Sequence, residues 1–144
     1  MSSVRDNPSV NRYLKDKAMD LIDHALGRPV WPLRETYRNH FATVIDGVTA
    51  KAFDASPFWE RIPASGSMAF YRVADAGRAA LDRHLAALER PWRAYAVYYE
   101  GQCWIEPAKS RGNVRYRAWL KISDLYSELT FAGFCRASKV RIAA

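Results

Sequence analysis

Residues 93–126 read RAYAVYYEGQCWIEPAKSRGNVRYRAWLKISDLY, and the periodicities inside this stretch decide the fold. RAYAVYYE (93–100) and QCWIEPA (102–108) are rich in aromatic and β-branched residues and are separated by Gly101, which predicts two strands joined by a tight hairpin. SRGNVRYRAWLKISDLY (110–126) changes to a helical period. On that wheel Tyr116, Trp119, Leu120 and Ser123 share one face and are expected to lie against the sheet. Arg117, Lys121 and Asp124 share another, with Arg117 and Lys121 one turn apart. TFAGFCRASKVRIA (130–143) then reads as one closing strand bent at Gly133, so the predicted unit is β-β-α-β. The charge collects on it. Residues 90–144 hold ten basic side chains against four acidic ones, which is six of the chain's seven net positive charges.

At 144 residues the chain has the size of one domain and can bury a core. The junction Arg90-Pro91-Trp92 divides it into residues 1–90 and 91–144, either as two units or as halves of one compact domain. A composition of 49% hydrophobic and 26% charged residues is that of a folded chain. No apolar run approaches the roughly 18 residues of a membrane span. Met1 to Arg12 is polar and lacks the apolar core of a signal peptide, so the expected location is the cytoplasm. Cys103 and Cys135 both fall in predicted strands, can be neighbours across a sheet, and are expected to be reduced, packed thiols. No His or Cys spacing supports a metal site.

Ahead of the hairpin, residues 7–27 predict a helix, with Asn7 as its cap, Pro8 in the first turn and Val10, Leu14, Ala18, Leu21 and Ala25 along one face. Its other face, with Arg12, Lys15, Asp16, Asp20 and Asp23, is expected to be solvated. In YRNHF (37–41), Tyr37 and Phe41 are expected to be buried while Arg38, Asn39 and His40 either fasten a loop or touch phosphates and bases. Val48 to Phe53 suggests a short helix stopped by Ser56-Pro57, and Phe58, Trp59 and Ile62 a second apolar cluster. Met68 to Val73 predicts a strand with Ala69, Tyr71 and Val73 on one face. Asp75 can cap a helix over 76–89 with Leu81, Leu85 and Leu88 buried. The architecture expected is α+β, an α-α-β-α half followed by the β-β-α-β half.

Chemistry-bearing motifs are absent. The sequence has no phosphate-cradling loop with a lysine, no G-x-S-x-G elbow and no H-E-x-x-H. His24, His40 and His84 lie on separate elements. The expectation is a protein that is not an enzyme and takes no cofactor.

FYRVADAGRAAL (70–81) resembles the end of the wing in winged helix-turn-helix proteins, where a strand leads into a helix through an Ala-x-Ala-Gly-Arg step. With the first helix and YRNHF, residues 7–89 resemble a degenerate winged helix. They are also similar to small proteins of phages and prophages, as is AKSRGNVRYRAWLKISD (108–124). The place of a recognition helix is taken by AKAFDASPFWERI (50–62), broken by Pro57. The resemblance implies a phage accessory protein acting in the host cytoplasm.

Two functions follow as expectations. One is binding of DNA or RNA through its phosphates by Lys109, Arg111, Arg115, Arg117, Lys121, Arg136 and Lys139, with Arg38 in the first half and aromatics interleaved. The other is an inhibitor of a host defence complex (anti-CRISPR-like), whose basic surface meets an acidic or nucleic-acid-bound protein.

Overall fold

The computed structural model describes residues 7–36 and 38–143, which form five helices and two three-stranded antiparallel sheets. In chain order these are α1 (Lys17–Ala25), β1 (Phe41–Val44), α2 (Val48–Asp54), β2 (Trp59–Ile62), β3 (Met68–Val73), α3 (Asp75–Ala86), β4 (Arg93–Tyr99), β5 (Gln102–Ala108), α4 (Arg111–Ile122), α5 (Phe131–Ala137) and β6 (Lys139–Ile142). The α+β class holds. The first half gains β1 and β2 over the expected order, and the second gains α5.

The first helix is shorter than its periodicity predicts. Asp16 caps it by accepting a hydrogen bond from the Met19 amide at 3.2 Å, and residues 7–16 form an extended strap instead. The strap's backbone pairs with residues 28–30: the Val10 amide donates to Arg28 O at 2.9 Å, and the Val30 amide to Pro8 O at 3.2 Å. Val10 matches a helical stripe by coincidence of burial, because the strap crosses apolar surface at that point. Arg12 is likewise not solvated. Its guanidinium donates to both carboxylate oxygens of Asp23 and, at 2.6 Å, to Pro29 O.

The first sheet has the order β1-β3-β2, with Phe41 opposite Tyr71 and Trp59 opposite Val73. Tyr71 is fully buried, and its hydroxyl donates to Asp54 Oδ1 at 2.9 Å. Trp59 stacks on Phe53 with ring centroids 3.8 Å apart, and Phe41 meets both rings edge-on. Helices α1 and α3 meet as expected, through buried Ala25, Leu81 and Leu85. Leu14 and Leu21 are only partly buried, and Leu88 lies past the end of α3, 37% exposed. Ala74, without a side-chain bond, occupies the cap position that the sequence assigns to Asp75, which instead opens the helix. Asn39 fastens the loop, accepting from the Val73 amide at 2.7 Å and donating to Val73 O at 3.1 Å. Tyr37 lies outside the described residues.

The second sheet has the order β5-β4-β6, with Tyr95 opposite Glu106 on one side and Ile142 on the other. The hairpin turns through Glu100 (φ 50°) and Gly101 (φ 74°), the positive-φ pair that matches strand twist in a two-residue loop. Residues 130–143 are not one strand. Thr130 Oγ1 accepts from the Gly133 amide at 3.0 Å and starts α5, whose Phe134 is fully buried under the sheet. Cys135 therefore sits on a helix and Cys103 on an exposed strand position. Both thiols are free, and Cys103 is not packed. A small cluster joins the halves, with Val10 and Val30 packed on Ala94. The Trp31 amide donates to Trp92 O at 2.6 Å, and Arg93 covers the Trp31 ring.

Candidate functional site

Helix α4 follows β5 after a single turn. Ser110 Oγ accepts from the Asn113 amide at 3.1 Å and Asn113 Oδ1 from the Lys109 amide at 3.2 Å, so the helix start is fixed by local side chains. The face that docks on the sheet is Val114 and Ala118, both fully buried with Tyr95, Val97 and Phe134. This corrects the expected face. Tyr116 is 48% and Leu120 50% exposed, while Trp119 lies on the flank and donates its indole N–H to Leu129 O at 3.1 Å. The physical reason is size: small residues one turn apart let the helix approach a sheet already lined with tyrosines. The larger rings then gather beside Phe131 on α5.

That rotation sets where the cations go. Arg117 Nε lies 3.7 Å and Lys121 Nζ 3.5 Å from the carboxylate of Glu106, a β5 residue whose side chain is 7% exposed. Arg117 also covers the Trp92 ring at 5.2 Å, and Lys109 Nζ lies 5.4 Å from the same ring centre. Arg111 donates to Val140 O at 2.7 Å, tying the start of α4 to β6. Lys109, Arg117 and Lys121 are thus gathered around Trp92 and Glu106.

A second group forms on the opposite face of the same sheet. Lys139 and Arg141 point away from the helices on either side of Val140, and the Arg141 guanidinium covers the Tyr98 ring at 5.3 Å. Arg136 is exposed in the last turn of α5, and Arg115 is half-buried on α4. Arg38 stands apart from both groups, with Nη2 3.4 Å from His24 Nε2. The His24 pKa is lowered, first by desolvation of the ring and next by the Arg38 charge.

Arg141 and Glu106 are not among the site residues the sequence points to, while Tyr98 is one of its interleaved aromatics. The alternation Lys139-Val140-Arg141, basic-apolar-basic, is the signal that marks a strand with one cationic face. Glu106 left no such signal, because its pairing with Arg117 and Lys121 depends on how α4 sits on the sheet. Among the described residues no group of three His, Cys, Asp or Glu side chains could hold a metal ion, and no helix is long and apolar enough to cross a membrane. No protein-family profile, curated protein or solved structure matches the chain.

Proposed function

We propose that this chain is a small, non-catalytic nucleic-acid-binding accessory or regulatory protein that grips phosphates through its basic second half. The observation that carries this reading is the state of the cations. Among the described residues Lys109, Arg115, Arg136, Lys139 and Arg141 have no carboxylate partner. They stand on or beside regular elements that hold them at fixed spacing. Among the described residues the first half also holds cations without a carboxylate partner, such as Lys15, Lys51 and Arg78. Over residues 1–89, however, eleven acidic side chains nearly offset twelve basic ones, whereas residues 90–144 keep six net positive charges. The first half then reads as a winged-helix-like scaffold without a reading helix, since Ala55 to Phe58 between α2 and β2 is a turn. Phage origin and the host cytoplasm belong to the same proposal.

Binding should follow counterion release. The logarithm of affinity for duplex DNA falls with the logarithm of salt, by about 0.9 per phosphate contact. Lys139→Ala and Arg115→Ala should each weaken binding on unrelated sequences and reduce that slope by about one. Fluorescence anisotropy on duplex DNA, single-stranded DNA and RNA across a salt series measures this. No binding to any of them near physiological salt overturns the reading.

One observation favours the second function, a protein-binding inhibitor of a host defence complex. Tyr116, Leu120, Leu125 and Phe131 leave large apolar side chains exposed on the second half, at 48%, 50%, 80% and 36%. Capture of a defence complex from host lysate, lost on Leu120→Glu, is its test.

A further inference from the structure

The second sheet has two unlike faces. One, with Tyr95, Val97 and Tyr99, is sealed by α4 and α5. The other carries Ala94, Ala96 and Tyr98 on β4, Ile105 and Cys103 on β5, and Arg141 and Lys139 on β6. Among the described residues the strap and the segment after α1 cover one end of it, where Val10 and Val30 pack on Ala94 with Ile105 beside them. At the other end the register sets Lys139, Tyr98 and Cys103 in one row across the sheet and Arg141, Ala96 and Ile105 in the next. In these rows Ala96 is buried and Ile105 leans on the Val10–Val30–Ala94 cluster, while Tyr98 is 37% exposed and Cys103, Lys139 and Arg141 are exposed too among the described residues. Ala96 supplies a low floor beside the Tyr98 ring, and the Arg141 guanidinium lies over that ring.

We infer that this open end is a platform for unpaired nucleotides of a single strand. A base can be laid on the Arg141–Tyr98 pair while the adjoining phosphates meet Lys139 and Arg141. The chemistry selects an unpaired strand. Guanidinium planes and aromatic rings stack on any base whose face is free, whereas the bases of a duplex are stacked on one another. At its open end this face has, among the described residues, no helix or loop standing proud of it to enter a groove of a duplex. The inference rests on the nucleic-acid reading above and adds the strand state and the surface that recognises it.

The test uses the intact chain and two probes, an oligothymidine of about a dozen nucleotides and a random-sequence duplex of similar charge. Tyr98→Ala should weaken oligothymidine binding by tenfold or more, as expected for one lost stacked base, and leave duplex binding within twofold. Tyr98→Phe should restore it. A second readout needs no variant. Cys103 neighbours Tyr98 in the row, so bound oligothymidine should slow its alkylation, followed by peptide mass, severalfold, and bound duplex should not. Equal losses on both probes with Tyr98→Ala, or Cys103 alkylated at the same rate with and without oligothymidine, overturns the platform while leaving phosphate binding intact. Failure of both probes to bind the unmodified protein overturns the nucleic-acid reading itself.

Discussion

Asp23 has no exposed side-chain surface and holds the guanidinium groups of Arg12 and Arg28, whose side chains are 7% and 13% exposed. Arg28 bonds Asp20 as well, at 2.7 Å, and that bond is the leading cause holding the Asp20 carboxyl below its ordinary value. Removing one partner from a buried pair leaves an uncompensated charge and costs about 3–5 kcal/mol. Because Arg28 remains beside Asp23, Arg12→Ala should fall at the lower end, about 3 kcal/mol. Urea unfolding measures it, and a stability unchanged within 0.5 kcal/mol would show the pair to be dispensable. Nothing local in the sequence marks Arg12 for this role. On a helical wheel it belongs to a solvated face, and only the pairing of residues 8–10 with 28–30 turns it inward. Cys103 was misplaced for a related reason: a β-strand residue is buried only if its own face of the sheet is covered. The face was legible from alternation, the cover was not.

Elements defined by local chemistry were legible: the hairpin from its alternation and turn pair, α4 from its period, α2 from its stop at Pro57. Elements defined by their partners were not. Strands β1 and β2 have four residues each and are held by pairing with β3. Helix α5 has an aromatic-rich sequence with a central glycine that also suits a strand, and its cap on Thr130 is its one local mark. The Ala-Gly-Arg step in the first turn of α3 has a packing cause. A Cβ on Gly77 would lie 2.6 Å from Phe58 O and 2.7 Å from a Val73 methyl, and the first of these is backbone. Gly77→Ala should therefore destabilise by about 1–3 kcal/mol through overpacking. Gly112, in the first turn of α4, has nothing within 4 Å of a Cβ. Gly112→Ala should instead stabilise, by about 0.5 kcal/mol. Thermal melts of the two variants check both signs, and a neutral Gly77→Ala would mean that β2 and α3 are less closely packed.

Across the whole molecule, two small sheets each carry their own core, and a third cluster of Val10, Val30 and Ala94 lies where they meet. Three-stranded sheets of four- to seven-residue strands bury little by themselves, so each half depends on what covers it. The strap contributes to both: it pairs beside α1 and packs on the outer face of the second sheet. By covering the Ala94 end it also leaves the Tyr98 end open, so the same contact that couples the halves defines the proposed platform. Coupling of this kind predicts one cooperative transition, with calorimetric and van't Hoff enthalpies equal. Val30 is 1% exposed, and Val30→Ala removes two carbons from the junction, worth about 2 kcal/mol with the cavity included. The variant should move the single transition down as a unit, because neither half gains an independent route to unfolding. Two resolved heat-absorption peaks in the unmodified protein would instead make residues 1–90 and 91–144 separate cooperative units, with Val10 and Val30 a contact between them and not a shared core.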